Sequence, residues 1–286
     1  MKQGQIVVRR GIPRLADPLR RSTALTVGVI VVLIAVIVAL FPGLFTSLDP
    51  IATDANAMLL PPSAQHLFGT DNYGRDVFAR VIWGTRIDLL IGVGCVIVPF
   101  VFGSLLGLLA GYYGGKVDAI IMRILDVFMA FPFLVMVIAI VAILGNGIRN
   151  LLIAMWIVGW KEYTRLVRSE VIVAKQSEYV QSAKILGYSE LRVILRHIMP
   201  NVISTAIVYG ASDVVMCMGT AASLSYLGIG VQSPTPEWGA IINDGKAFIN
   251  TAWWITVIPG AVLAFVGWGF SMLGDGLSDL LRADNR

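Results

Sequence analysis

Charge is what this chain has least of. Asp, Glu, Lys and Arg make up 14% of its 286 residues, against roughly 25% in an average soluble domain, while 57% are hydrophobic and the mean hydropathy is +0.78. That balance excludes a water-soluble globule and indicates a polytopic membrane protein. Cysteine is as scarce. Cys95 and Cys217 both fall in apolar runs, with no mutual spacing that suggests a disulfide framework or a metal site, and are expected to be small apolar fillers. The two histidines, His66 and His197, belong to polar segments on opposite sides of the membrane in the topology derived below, so they cannot share a metal or a proton relay. No His-Glu-x-x-His or nucleophile-elbow pattern occurs. Gly115-Lys116 fails as the end of a phosphate-binding loop, because Ala110 stands where the first Gly is required and Val117 where Ser or Thr is required. The chain therefore has neither a nucleotide site nor a reactive cluster of its own, and any energy it uses must come from a partner.

What is present is a succession of apolar runs. Residues 1–22 carry Lys2, Arg9, Arg10, Arg14, Arg20 and Arg21 against the single Asp17, and an unbroken apolar run follows from Thr23. That run is too long for a signal-peptide core and long enough to cross about 30 Å of hydrocarbon, so 23–42 is expected to be a retained anchor helix. Residues 43–86 form a polar, extracytoplasmic segment containing Pro61-Pro62. Further apolar runs cover Ile87–Tyr112, Ala119–Leu144 (interrupted by Asp126 and Pro132), the short Leu151–Trp160, Val202–Met218 and Thr251–Leu273. Gly103, Gly107 and Gly111 lie four apart, a ridge of small residues that lets a second helix approach closely. Six spans place both termini on one side. Seventeen Lys/Arg then fall on the side of the termini and five (Arg75, Arg80, Arg86, Arg149 and Lys246) on the other, which orients the termini to the cytoplasm.

Between the fourth and fifth runs lies SEYVQSAKILGYSELRVILRHIMPN, Ser177–Asn201, a basic island patterned as two short amphipathic helices. Ser177 is placed to cap the first helix, and Glu178 puts negative charge at its positive end. Tyr179, Val180, Ala183 and Leu186 share one face, with Gln181 and Lys184 pointing away. Gly187 suits a left-handed helix end, Ser189 caps a second helix carrying Leu191, Ile194, Leu195 and Ile198, and Pro200 predicts a break or kink. Physics alone allows two uses for such an elbow: lying on anionic lipid, or docking into a partner.

A resemblance bears on that choice. Ala183, Gly187 and Pro200 stand where the Glu-Ala-Ala-x3-Gly-x9-Ile-x-Leu-Pro loop of bacterial ABC importer permeases has its alanine, glycine and proline, although Gln181, Ser182, His197 and Met199 depart from the general pattern. HLFGTDNYGRDVFARVIWGTRIDLLIG (66–92), GYYGGKVDAIIMRILDVFMAFP (111–132), LSYLGIGVQSPTPEWGAII (224–242) and LGDGLSDLL (273–281) also resemble, in the family's order, the C-type inner-membrane permease subunit of dipeptide, oligopeptide and nickel importers. From 66–92 itself, Asp71, Arg75, Asp76 and Arg80 can pair locally as a brace, and Val77, Val81 and Ile82 suggest an interfacial helix leading into the second span.

The resemblance implies an all-α membrane bundle with a five-helix permease core over 87–281, to which the anchor is appended. It implies a homologous permease, two ATP-binding cassette subunits and an extracytoplasmic substrate-binding protein as partners, in a bacterial inner membrane. ATP and Mg would be bound by the partners, with no cofactor on this chain and no nucleic acid involved. It also implies that Glu178, Tyr179, Gln181, Ala183, Lys184, Gly187, Arg196 and Pro200 form the coupling surface for an ATPase subunit. Alternating access would move di- or oligopeptides, or alternatively nickel, glutathione or an opine-like solute. A proton-coupled secondary transporter is the competing class, and it would need an intramembrane acid relay. Asp126 is expected to pair with Arg123 one turn away, while Asp213 has no local basic partner. Asp213 is open to two readings: lining the pathway or meeting a cationic substrate group, with Met216 beside it, or packing through hydrogen bonds.

Overall fold

A computed structural model describes residues 22–284, and the basic tail expected over 1–22 lies outside it but for Ser22. The described residues are helical, with no strand beyond an isolated bridge between Thr70 and Asp76. The helices are α1 (Thr23–Leu40), α2 (Val77–Tyr113), α3 (Gly115–Met129), α4 (Phe133–Leu144), α5 (Ile148–Lys175), α6 (Glu178–Ile185), α7 (Glu190–Val193), α8 (Met199–Tyr226), α9 (Trp238–Gly245) and α10 (Trp254–Asp284). Ser22 caps α1 by accepting from the Leu25 N–H at 3.3 Å, and Asp76 caps α2 by accepting from Ala79 at 2.7 Å. The expected interfacial helix and the second span are thus one helix of 37 residues, about 55 Å long at 1.5 Å per residue. It is long enough to cross a bilayer and project beyond it.

Among the described residues, four helices are long and apolar enough to span a membrane: Thr23–Leu40, Val77–Tyr113, Glu190–Tyr226 and Trp254–Leu281. The run broken at Pro132 supplies a fifth if Gly115–Met129 and Phe133–Leu144, bent by 83°, count together. The sixth expected span is not reached on length and composition, because α5 is apolar only as far as Trp160 and then carries Lys161, Glu162, Arg165 and Arg168. Pro200 also behaves differently from expectation. A π-turn over Ile194–Ile198, with Met199 N–H donating to Ile194 O five residues back, widens the helix ahead of the proline. The second elbow helix therefore runs on into α8 without a separating break.

Packing is closest between α2 and α5. A Cβ at Gly103 would stand 2.4 Å from Trp160 O, at Gly107 2.5 Å from Thr164 O, and at Gly111 2.8 Å from Val171 Cβ. The glycine ridge is where the two backbones meet. On the other flank α1 lies along α10, with Gly276 against Leu25, Gly28 against Leu273 and Gly269 against Val31. The anchor helix is part of the packed bundle.

The segment before α2 is tied to α9 by charge. Asp71 receives Arg75 Nε at 2.6 Å and Arg80 Nη1 at 2.5 Å, and Asp244 receives Arg75 Nη2 at 2.7 Å and Arg80 Nη1 at 3.1 Å. Asp71, Arg75 and Arg80 are all buried, so these pairs hold geometry more than they add net stability. His66 Nδ1 lies 2.9 Å from Asp76, and Trp254 Nε1 donates to Thr70 O at 3.0 Å. The brace expected from local pairing exists, but its second half comes from Asp244, far away in sequence. The Arg123–Asp126 pair does not form: Asp126 is exposed, and the ion pair of α3 lies at its opposite, N-terminal end, Asp118 with Arg168 of α5, at 2.5 and 2.6 Å.

Candidate functional site: an elbow and an intramembrane cavity

The elbow is built as a turn with one side buried. Gly187 has φ +77°, with open space where a Cβ would stand, so backbone conformation and not crowding requires glycine there. The Tyr188 N–H donates to Ala183 O (3.2 Å) and the Gly187 N–H to Lys184 O (3.0 Å), the paired bonds of a Schellman helix end. Ser177 occupies the cap position of α6, but its hydroxyl donates back to Ala174 O at 2.5 Å and does not cap. Ser189 likewise makes no side-chain cap.

Val180, Ala183, Val193, Ile194 and Ile198 are buried in one cluster with Leu108, Tyr112 and Val171, which attaches the elbow to the ends of α2 and α5. Polar contacts add to this. Lys175 Nζ donates to Tyr112 O, and both Lys175 and Lys184 sit 5.4 Å from the Tyr112 ring centre. Asn201 Nδ2 donates to Tyr179 Oη at 3.0 Å and to His197 O at 2.9 Å, while Tyr188 stacks on His197 and meets the Arg192 guanidinium at 4.2 Å.

The structure corrects the expected facing of α6. Lys184 turns back to Tyr112, and Gln181, though exposed, donates to Lys175 O at 3.0 Å, so neither is a free outward side chain. Leu186, assigned to the apolar inner face with Val180 and Ala183, is 70% exposed, Ile185 is 86% exposed and Leu191 is 66% exposed. Together with half-exposed Tyr179 they form an apolar patch around the Gly187 turn, and a patch of this kind marks a contact surface. Glu178, Arg196 and Pro200 are also exposed along this segment. The chance to see Ile185 in the sequence lay in its position immediately before the Leu186-Gly187 turn, where a solvated helix end would carry polar residues.

Further along the bundle, α2, α4, α5 and α8 line a partly open cavity of about 220 Å³ whose lining includes Asp213, Met216, Cys217, Cys95, Pro99 and Met155. Both candidate pathway residues, Asp213 and Met216, are therefore brought to one space. Tyr163 of α5 donates its hydroxyl to Asp213 Oδ2 at 2.8 Å and packs edge-on against Tyr209. The two readings of Asp213 are compatible, since one oxygen is held by packing while the residue also lines the cavity. Tyr163 was invisible as its partner from the sequence, because 50 residues separate them. The cysteines are buried members of one apolar cluster, as expected of small fillers. Both are free, α2 and α8 bring them to the wall of the same cavity, and Cys95 Sγ lies 2.9 Å from Met155 Sδ.

A bundle of long apolar helices with a broken helix, an apolar elbow patch and an interior cavity, but no nucleotide loop, is the outline of a membrane permease. Known proteins bear this out. Residues 103–286 match the model for binding-protein-dependent transport system inner membrane components, and the chain belongs to that family. It is 41% identical over 263 residues (92% of this chain, 86% of the relative) to a dipeptide transport system permease of Alkalihalophilus pseudofirmus. It is 42% identical over 256 residues (90% and 86%) to a probable D,D-dipeptide transport system permease of Escherichia coli, and 43% identical over 220 residues (77% and 73%) to a glutathione transport system permease of Pectobacterium atrosepticum. The chain is a multi-pass membrane permease subunit of an ABC importer system.

Proposed function

We propose that this chain is one of two homologous membrane subunits of an importer for short peptides in a bacterial inner membrane, with both termini cytoplasmic. Two ATPase subunits would drive it and an extracytoplasmic binding protein would feed it. The chain itself makes and breaks no covalent bonds. The observation that carries this reading is the elbow: an inner face buried on α2 and α5 and an outer apolar patch of Ile185, Leu186 and Leu191 around a left-handed glycine. Such a shape transmits force when its outer side is gripped. ATP binding would close the ATPase pair, draw the elbows of the two permeases together and open the bundle outward for solute, and hydrolysis would reset it.

The Lys175 and Lys184 contacts to Tyr112, and the Arg168–Asp118 ion pair, give that movement a path from the elbow into α2 and α3. Asp213 and Met216 would border the solute path. Glutathione is the second reading for the cargo, favoured by the 43% identical relative named for it.

The test is uptake of labelled dipeptide and glutathione by proteoliposomes holding both permeases, both ATPase subunits and the binding protein. ATP-dependent uptake is expected, and loss of both uptake and ATPase copurification in Leu186→Asp. Uptake driven by a proton gradient without ATPase subunits would overturn the reading in favour of a secondary transporter.

A further inference from the structure

We infer that the cavity around Asp213 receives the α-ammonium end of the imported solute, an inference that rests on the peptide-import reading above. Burying a carboxylate at membrane depth costs at least ~2.5 kcal/mol and is maintained where a charge is to be met. Among the described residues no Lys, Arg or His forms an ion pair with Asp213. Its hydrogen-bond partner is the neutral Tyr163 hydroxyl, which donates to Oδ2.

The charged neighbours do not cancel it. Glu162 adds a second carboxylate to the lining, and its partner Arg165 is a surface residue, 60% exposed and 3.8 Å away, in a pair too solvated to hold firmly. Lys161 is buried, but its ammonium is directed to Phe128 O at 3.4 Å and stands 6.0 Å from the Phe133 ring centre. Among the described residues no Lys, Arg or His lines the cavity, so its two carboxyl groups, Asp213 and Glu162, have no cationic side chain beside them within it.

The remaining walls suit the same group. Tyr209 adds an aromatic side chain to the lining, a kind of surface that attracts an ammonium. Pro99, Met155 and Met216 offer an apolar, adaptable surface to the side chain next to it. At about 220 Å³ the cavity is smaller than the 300–1,000 Å³ of a complete small-molecule pocket, so it holds one end of a solute and not the whole. A peptide's N-terminal residue is such an end: a compact cation beside a variable side chain. A site of this kind reads the shared terminus and ignores the rest.

The native thiol in the wall makes a reporter. In a Cys95→Ser background, Cys217 in the assembled, ATP-cycling importer is titrated with two methanethiosulfonates of similar size, one ending in ammonium and one in sulfonate. Modification about tenfold faster by the ammonium reagent is expected, after correction for each reagent's rate with a free thiol. The isosteric Asp213→Asn should abolish that preference while keeping an acceptor for Tyr163. A free dipeptide should slow the labelling and its N-acetylated form should not. Equal corrected rates in the parent protein, an unchanged preference in Asp213→Asn, or no modification of Cys217 in any state overturns the ammonium site, even in an assembly that imports peptides. Failure of the parent assembly to import any peptide overturns the functional reading instead, and is seen in the uptake assay without reference to the thiol.

Discussion

A valine at position 187 would have to hold φ +77°, a conformation that costs an L-residue about 1–2 kcal/mol. Because nothing crowds the position, that cost is purely conformational, and it falls on the one turn that sets the angle of the elbow patch. Gly187→Val is therefore expected to assemble but to lose roughly 5–30-fold of its ATP-driven uptake, with ATP hydrolysis continuing. Gly187→Asn, a side chain that tolerates the left-handed region, should retain most of it. Paired uptake and hydrolysis assays on the same proteoliposomes check this, and normal coupled transport by Gly187→Val would show that the elbow is not the coupling element. At this scale the sequence was readable where a residue's role is local. Gly187 announced its turn, whereas Ser177 looked like a cap and is not one, because the Ala174 carbonyl competes for its hydroxyl.

Between elements, the α2–α5 contact is governed by the absence of side chains. Gly107→Leu would drive a branched chain into Thr164 O and Val167 Cβ, the nearest of which is 2.5 Å from the Cβ position. Overpacking of this kind costs about 1–3 kcal/mol, so a Tm lower by several degrees in detergent is expected. Gly219→Ala, on α8 with nothing within 4 Å of its Cβ position, is the control and should not lower Tm. A second joint, where the start of α9 meets α2, holds two buried carboxyl groups. Glu237 is fully buried at the start of α9, accepts from the Gly239 and Ala240 N–H groups at 3.0 and 2.7 Å, and adjoins the carboxyl of Asp88. Burial raises its pKa above the ordinary 4.5, the two backbone donors opposing it. The folded protein therefore keeps a proton that the unfolded chain has released above 4.5. The associated stability is present at and below pH 4.5 and is lost as pH rises through the raised value. A Tm that falls as pH is raised from 4.5 is expected, with a flatter profile in Glu237→Gln; identical profiles would exclude Glu237 as the titrating group.

Across the whole molecule, the buried brace of Asp71, Arg75, Arg80 and Asp244 lies at the start of α2, and the elbow packs on Tyr112 at its end. About 55 Å of helix separates them, more than a bilayer's hydrocarbon core of ~30 Å. The two exposed sites Leu67 and Leu186 should consequently face opposite compartments. In cells, Leu186→Cys is expected to react with an impermeant thiol reagent only after the membrane is opened, and Leu67→Cys without opening it. The reverse pattern would invert the proposed orientation. Such a layout separates the parts of the subunit: the charged brace lies at one end of α2, the elbow proposed to take up force lies at the other, and the cavity with Asp213 lies between.

Composition and periodicity alone determined that the chain is a helical, multi-pass membrane protein, that 177–201 is an elbow with its turn at Gly187, and that Gly103, Gly107 and Gly111 are a packing ridge. These are properties of neighbouring residues, so local order in the chain expresses them. Only the tertiary structure decided which helix meets the ridge, that Tyr163 holds Asp213, that Cys95 and Cys217 line one cavity, and that Val180 and Ala183 are buried while Ile185 and Leu186 are left bare. An apolar stripe states that something must cover it. Which part is covered by the protein's own helices, and which is left for a partner, depends on how helices far apart in sequence come to lie side by side.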